Sequence, residues 1–304
     1  MVTTRLTSLS RESHLSTNSI GRGNGYFRQP LSLRLLTGLV ASLGLLSPAQ
    51  SAPLVSSSSF VSTRPAPRVE YWQHRLQDIE AALRQPEQLR QVKLLFVGDS
   101  ITDFWLLDDN PWVEGQKCGR QVWDESFAKP GTPNYALNIG ISGDRMEHLL
   151  YRLQPKSEGG LGQLDSPELQ PDFIVLMIGI NNTWAPEHPV ADSVYAGVEA
   201  VVKALHERRP RARIILQSLL PTQDEAKNAA VVRPVNARLQ ALLTGAPYAQ
   251  YAVWLDLYPG FVDAKGQQVS TDFNDGLHPN AAGYRVWRDL LVPFLDQQRA
   301  QAKP

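Results

Sequence analysis

Three apolar runs in this chain each break off at a short polar cluster, and that repeated break narrows the fold more than any other feature. Val92 to Val97 ends in Gly98-Asp99-Ser100, Tyr135 to Ile139 leads into Asn138-Ile139-Gly140-Ile141-Ser142-Gly143-Asp144, and Phe173 to Ile178 ends in Gly179-Ile180-Asn181-Asn182. Short, continuous apolar runs with turn signals behind them read as strands buried on both faces, which calls for a parallel sheet covered by helices on both sides. Arg211 to Leu219 and Tyr251 to Leu257 supply a fourth and a fifth strand. Helical stripes alternate with them: Val69–Arg84, a short helix after Ser100, Met146–Leu153, Val190–Arg208, Pro234–Leu243 and Ala281–Gln298. The expected fold is a three-layer α/β/α sandwich on a five-stranded parallel sheet. Such a sheet gathers its polar clusters along the carboxyl edge, where open α/β folds bind ligands. A fourth cluster, Asp275-Gly276-Leu277-His278-Pro279-Asn280, opens the last helix and joins them.

Each cluster has a plain reading when taken singly. Gly-Asp-Ser is a turn with a helix cap, Asn181 a turn former, and His278 a surface histidine. Together they hold what acyl transfer by a serine needs: a nucleophile, a base, a carboxylate that orients the base, and donors for an oxyanion. Asp275 lies three residues before His278, so a turn can fold its carboxylate back onto the ring. The amide of Asn181 is a neutral donor.

In this set and order the clusters resemble the SGNH hydrolase (GDSL esterase/lipase) superfamily, from Val92 to the last helix, and the resemblance implies its flavodoxin-like fold. It also implies Ser100 as nucleophile, His278 as base and Asp275 as its carboxylate, with the N–H groups of Ser100 and Gly140 and the Asn181 side chain as the oxyanion hole. The segment Leu137 to Arg145, the run Glu147 to Leu153, Gly-Ile-Asn-Asn and Tyr258-Pro259-Gly260-Phe261-Val262 are most similar to the branch that contains the platelet-activating factor acetylhydrolase catalytic subunits. Bacterial proteins similar to that branch are often carbohydrate O-acetylesterases. Many superfamily members carry Gly-x-Asn-Asp where this chain has Asn181-Asn182, a departure that concerns the sub-branch. The implied reaction is removal of a short acyl group, acetyl above all, from a small-molecule or glycan ester, with no cofactor and no metal. An O-acetyltransferase, a lysophospholipase or an arylesterase would use the same site. A glycan-binding module with a vestigial site is the alternative from another class.

Asp99, Trp105 and Trp184, at or just beyond the strand ends, are the candidate substrate contacts; Trp112 and Trp123 share that edge, and buried packing is the alternative for these tryptophans. Asp103, Asp108, Asp109 and Asn110 lack the oxygen spacing of a calcium loop and read as loop charge. Glu147 and His148 read as an ion-paired helix face beside Arg145 and Arg152. Arg208, Arg209, Arg211 and Arg213 stand at a helix end, where cations complement the dipole.

The formal charge is zero, but the first 51 residues hold five arginines and one acid, which leaves a body of 25 basic and 29 acidic residues. A mildly acidic body argues against a nucleic-acid-binding role. The arginines precede an apolar stretch from Leu35 to Leu46 and the small residues around Ala49 and Ser51, the layout of an export signal over residues 1–51. Twelve residues fall short of the roughly 20 that a helical span needs. No stable membrane anchor is expected after processing, and the periplasm or the exterior is the expected location; an uncleaved anchor is the alternative. The single cysteine, Cys118, permits no intrachain disulfide. Residues 52–68, with four consecutive serines and three prolines, read as a disordered linker, 69–300 as the hydrolase domain and 301–304 as a tail.

Overall fold

The computed structural model describes residues 59–68, 73–185 and 187–301. The proposed signal segment and the residues from 302 onward lie outside them. The five strands are β1 (Leu94–Gly98), β2 (Ala136–Asn138), β3 (Phe173–Met177), β4 (Arg213–Gln217) and β5 (Ala252–Leu255). All pair in parallel, in the order β2-β1-β3-β4-β5. β1 and β3 are buried at every position, as central strands covered on both faces must be. The order reverses at β1, which places a crevice beyond the carboxyl ends of β1 and β3.

Helices fill the connections: α1 (Gln73–Leu83), α2 (Pro86–Leu89), α3 (Ser100–Asp103), α4 (Arg120–Ser126), α5 (Met146–Leu153), α6 (Val190–Arg208), α7 (Glu225–Lys227), α8 (Arg233–Leu242) and α9 (Ala281–Gln301). The β1-to-β2 connection steps one way across the sheet and every later one the other way, so right-handed crossovers put α4 on the face opposite α5, α6 and α8. α9 packs beside α4, and α6 packs against both α5 and α8. The valine stripe of α6 (Val194, Val198, Val201, Val202) is fully buried. Four elements escape the sequence patterns, the one-turn α2 and α7 and two more. α4 is seven residues long and buries only Val122 and Trp123, and a single π turn, Asn228–Val232, precedes α8.

The linker reading needs correcting for residues 59–68. Phe60 and Ser62 are buried, and Ser62 Oγ donates to the Ser193 carbonyl on α6 at 2.8 Å. The Ala66 N–H donates to the Glu147 carbonyl on α5 at 2.9 Å, and Arg68 donates to the Ser142 carbonyl at 2.7 Å. A segment this rich in serine and proline builds no core of its own, yet one phenylalanine and one small hydroxyl suffice to seat it against helices that already exist.

Candidate active site

Ser100 stands where β1 turns into α3. A Cβ on Gly98 would lie 2.1 Å from Thr102 Oγ1 and 2.3 Å from the Met177 carbonyl, so only glycine lets the helix fold back against β1 and β3. Asp99 caps the helix: its Oδ1 accepts from the Ile101 N–H at 3.0 Å. The N–H of Ser100, at the first helical position, has no intrahelical acceptor and stays available. The structure corrects the reading of Asp99 as a substrate contact. It is 1% exposed, its Oδ2 has no partner, and burial pushes its carboxyl up to about 7. A group folded under the turn cannot meet a ligand above it.

The partner loop brings Asp275 and His278 to the serine across 178 residues of chain. His278 Nε2 is 2.9 Å from Ser100 Oγ, and Nδ1 is 2.8 Å from Asp275 Oδ2. The other carboxylate oxygen accepts from the Leu277 and His278 N–H groups at 3.0 and 2.8 Å, which locks the turn. Gly276 between them takes φ +76°, a left-handed conformation that a larger side chain resists. Burial alone would raise the Asp275 carboxyl, but the bonds from His278 and Leu277 outweigh it and hold the group at about 2. Asp275 is therefore a carboxylate across the physiological range, suited to fix the ring and to stabilise an imidazolium. Phe104 stacks on the His278 ring at 4.9 Å.

The oxyanion side is built differently. Asn181 Nδ2 donates to the Asp144 carbonyl at 2.9 Å, which fixes the amide and leaves its second N–H for a ligand. The Gly140 N–H is already engaged: it donates to Asn138 Oδ1 at 2.8 Å, while Asn138 Nδ2 donates to the Thr102 carbonyl at 2.7 Å. A Cβ at Gly140 would lie 2.7 Å from the Asp103 backbone nitrogen, so close approach of the β2 loop to α3 accounts for glycine there. The geometry thus gives a free donor from Ser100 and another from Asn181, with that of Gly140 shared with Asn138.

Buried charges that the motifs did not announce hold this loop in place. Arg152 Nε meets Asp144 Oδ2 at 2.8 Å with both side chains 1% exposed, and its Nη1 donates to the Ile139 carbonyl at 2.8 Å. Arg75 on α1 reaches Asp103 at 2.7 Å and the Asn138 carbonyl at 2.8 Å. Asp103 in turn accepts from both the N–H and the hydroxyl of Ser142, so the aspartate read as loop charge is a buried tie. Glu147 is buried as well and accepts from Asn182 Nδ2 at 2.9 Å, while His148 Nδ1 accepts from the Arg145 N–H at 3.1 Å and caps α5. Arginines at helical positions carry no sequence signal for such a role; only the meeting of distant segments reveals it.

The tryptophans divide against expectation. Trp105 is fully buried, with its ring 4.6 Å from Tyr284, 5.2 Å from Trp287 and 6.2 Å from Phe96. It belongs to the core under α4 and α9, which corrects its reading as a substrate contact. Trp112 instead stands at the site, 58% exposed, with its ring 5.1 Å from both His278 and Phe104. An Asn-Pro turn presents it, since Asn110 Oδ1 accepts from the Trp112 N–H at 2.8 Å. Trp184 is 53% exposed three residues past Asn181, and Lys227 Nζ sits 3.5 Å from its ring centre.

A parallel sheet of this order, with a serine, an imidazole and a carboxylate in a row at its carboxyl edge, defines a hydrolase of the SGNH type. The chain belongs to the GDSL-like lipase/acylhydrolase family, whose model matches residues 96–286. It is a carboxylic ester hydrolase. The human platelet-activating factor acetylhydrolase IB subunit alpha1 is 31% identical over 220 residues, covering 71% of this chain and 82% of that protein. The rat alpha2 subunit is 33% identical over 213 residues, covering 68% and 80%. Among solved structures, a GDSL-like lipase from Bacteroides thetaiotaomicron matches with a TM-score of 0.54 at 20% identity, over 75% of this chain and 98% of that one, a likeness of fold.

Proposed function

We propose that this ester hydrolase removes short acyl groups, acetyl above all, from oxygen esters of carbohydrates outside the cytoplasm. The observation that carries the reading is the unbroken row Ser100 Oγ, His278 Nε2, His278 Nδ1, Asp275 Oδ2, with contacts of 2.9 and 2.8 Å. Ser100 Oγ attacks the ester carbonyl as His278 takes its proton, and Asp275 stabilises the imidazolium. The oxyanion rests on the Ser100 N–H and the free N–H of Asn181. His278 returns the proton to the departing alcohol, water repeats the attack on the acyl-enzyme, and Ser100 is regenerated. The relatives' name, acetylhydrolase, supports acetyl as the group removed. Trp112 against His278 and Trp184 beyond Asn181 support a sugar ring as the alcohol, since exposed indoles offer flat apolar faces beside the reacting atoms. The basic, then apolar, then small-residue order of 1–51 supports export.

The test is acetate release from acetylated polysaccharides, with p-nitrophenyl esters of increasing chain length as reporters. Turnover should fall steeply beyond about four carbons as the pocket stops accommodating the chain. Palmitate hydrolysed as well as acetate would replace the reading with a lipase, and acetylated glycans left untouched while p-nitrophenyl acetate is cleaved would remove the carbohydrate.

A further inference from the structure

At the opposite edge of the sheet lies a cavity of about 530 Å³ lined by Asp172, Phe173, Arg211, Arg213, Tyr251 and Arg299 among others. Phe173 and Arg213 are the first residues of β3 and β4, and Tyr251 immediately precedes β5, so the cavity opens at the amino ends of the strands. Ser100 stands beyond the carboxyl end of β1, about 17 Å away along a five-residue strand. The cavity therefore has no part in the chemistry above.

Its charge is unbalanced. Of the four arginines that close α6 and lead into β4, two are spent on the neighbouring loop. Arg208 pairs with Asp165, and Arg209 donates to the Ser166 carbonyl at 2.8 Å. Among the described residues Arg211 reaches only Gln170 Oε1, at 3.3 Å. The side chain of Arg213 makes no hydrogen bond or ion pair among the described residues, and its Nε is buried without a partner. A half-buried guanidinium left so costs free energy unless something outside the chain completes it. The third arginine is preorganised and already paired: Arg299 Nη1 meets Asp296 at 2.8 Å, and its Nη2 donates to the Pro133 carbonyl at 2.7 Å and Asn134 Oδ1 at 2.8 Å, with the guanidinium 5.7 Å from the Phe173 ring centre, so the excess charge rests on Arg211 and Arg213 and Arg299 lends a fixed wall. The lone carboxylate in the lining, Asp172, faces Lys93 at 3.8 Å. Tyr251 is held flat against His206, with ring centres 3.6 Å apart, and forms a rigid wall.

We propose that this cavity binds a tetrahedral oxyanion, a phosphate or sulfate group held by Arg213 and Arg211 beside Arg299. Guanidinium forks match such oxygens in charge and geometry, and a cavity of this size leaves room for the moiety that bears the group. The site is separate from ester hydrolysis and anchors a phosphorylated or sulfated molecule to the face remote from Ser100.

Titration calorimetry of the folded protein with sodium phosphate at low ionic strength tests it, with sodium sulfate and glycerol 3-phosphate as further arms. Saturable one-to-one binding is expected, lost in Arg213→Gln and weakened about tenfold in Arg211→Gln, whose exposed side chain can change without disturbing the sheet. Turnover of p-nitrophenyl acetate stays at the wild-type level in both variants, which shows that they are folded. Equal affinity for phosphate and glycerol 3-phosphate identifies an ester-borne group as ligand, and preference for phosphate identifies the free ion. No saturable binding to the wild type, or binding unchanged in both variants, overturns the proposal.

Discussion

The two loops that meet over Ser100 are held by different physics. The base loop, Asp275 to His278, is fixed mainly by its own carboxylate, which accepts two backbone N–H groups and the ring of the residue three positions on, and the remote ties of its backbone are two neutral bonds, from Gln223 N–H and Gln268 Nε2 to the Gly276 carbonyl. The loop from Asn138 to Asp144 is fixed from afar, by Arg75 on α1, Arg152 on α5 and Arg68 ahead of α1. A loop with few remote ties can be altered without loss of the fold. One built over buried charges cannot, because removing a partner leaves the other uncompensated. The difference predicts that damage on the base side is read in turnover and damage on the oxyanion side in stability.

The largest effect tests the base side. Ser100→Ala and His278→Ala should each lower kcat by roughly three to six orders of magnitude while the melting temperature stays near wild type. More than about a tenth of wild-type turnover in either, a barrier change under about 1.4 kcal/mol, would remove the proposed mechanism. Next comes the opposite side. Arg152→Met leaves the buried Asp144 with Arg68 as its one remaining arginine among the described residues and frees the Ile139 carbonyl, and should cost about 3 kcal/mol of stability, measured by urea denaturation. An unchanged midpoint would show that the buried pair does not hold the loop.

Asn181→Ala sharpens the contrast, because its amide ties to Asp144 and is the proposed donor to the reacting carbonyl. Its loss should lower kcat about a hundredfold, near 3 kcal/mol, with KM little changed, since the ground-state carbonyl is the weaker acceptor. Near-normal kcat in a folded variant would make Asn181 a turn former only.

Two carboxylates give the comparison opposite signs in pH. Asp275, held at about 2, adds stability that is present above its unfolded value near 4 and is lost as pH falls through 2. Asp99, pushed up to about 7, binds its proton more tightly folded than unfolded, so stability is lost as pH rises from about 4 to about 7. Asp99→Asn keeps the cap and removes the titration, so melting temperature should fall less between these pH values than in wild type. An identical slope would assign the pH dependence elsewhere. The smallest effect is expected at the rim: Trp112→Ala should raise KM for an acetylated sugar several-fold and leave Tm within about a degree or two, as exposed substitutions do. Unchanged KM would exclude that ring from substrate contact.

The strands and the Ser100–His278–Asp275 row were legible in the sequence because each rests on local chemistry: continuous apolar runs, a glycine at a turn, an aspartate three residues before a histidine. Trp105 and Trp112 show where legibility stops. Both follow the same strand within fifteen residues, and only the arrival of α9, with Tyr284 and Trp287, decides which one is core. Gly140 fails for a related reason: its N–H would be free were it not for a side chain two residues back that also reaches across to Thr102. Phe60 and Ser62 lie in a composition that reads as linker, and the groove that receives them is formed by helices more than eighty residues later.

The close seam at Thr102 has an evolutionary consequence. Gly98 and Gly140 press on the same threonine from β1 and from the β2 loop, each too near for a methyl group. Drift in this neighbourhood is therefore blocked from two directions, and the reacting atoms are carried on a part of the molecule that selection cannot tune by small steps. Variation is left to the rim, where the exposed Trp112 and Trp184, the latter under Lys227 at the end of α7, can be exchanged without moving Ser100. A lineage built this way can change which alcohol it releases while keeping one way of releasing it.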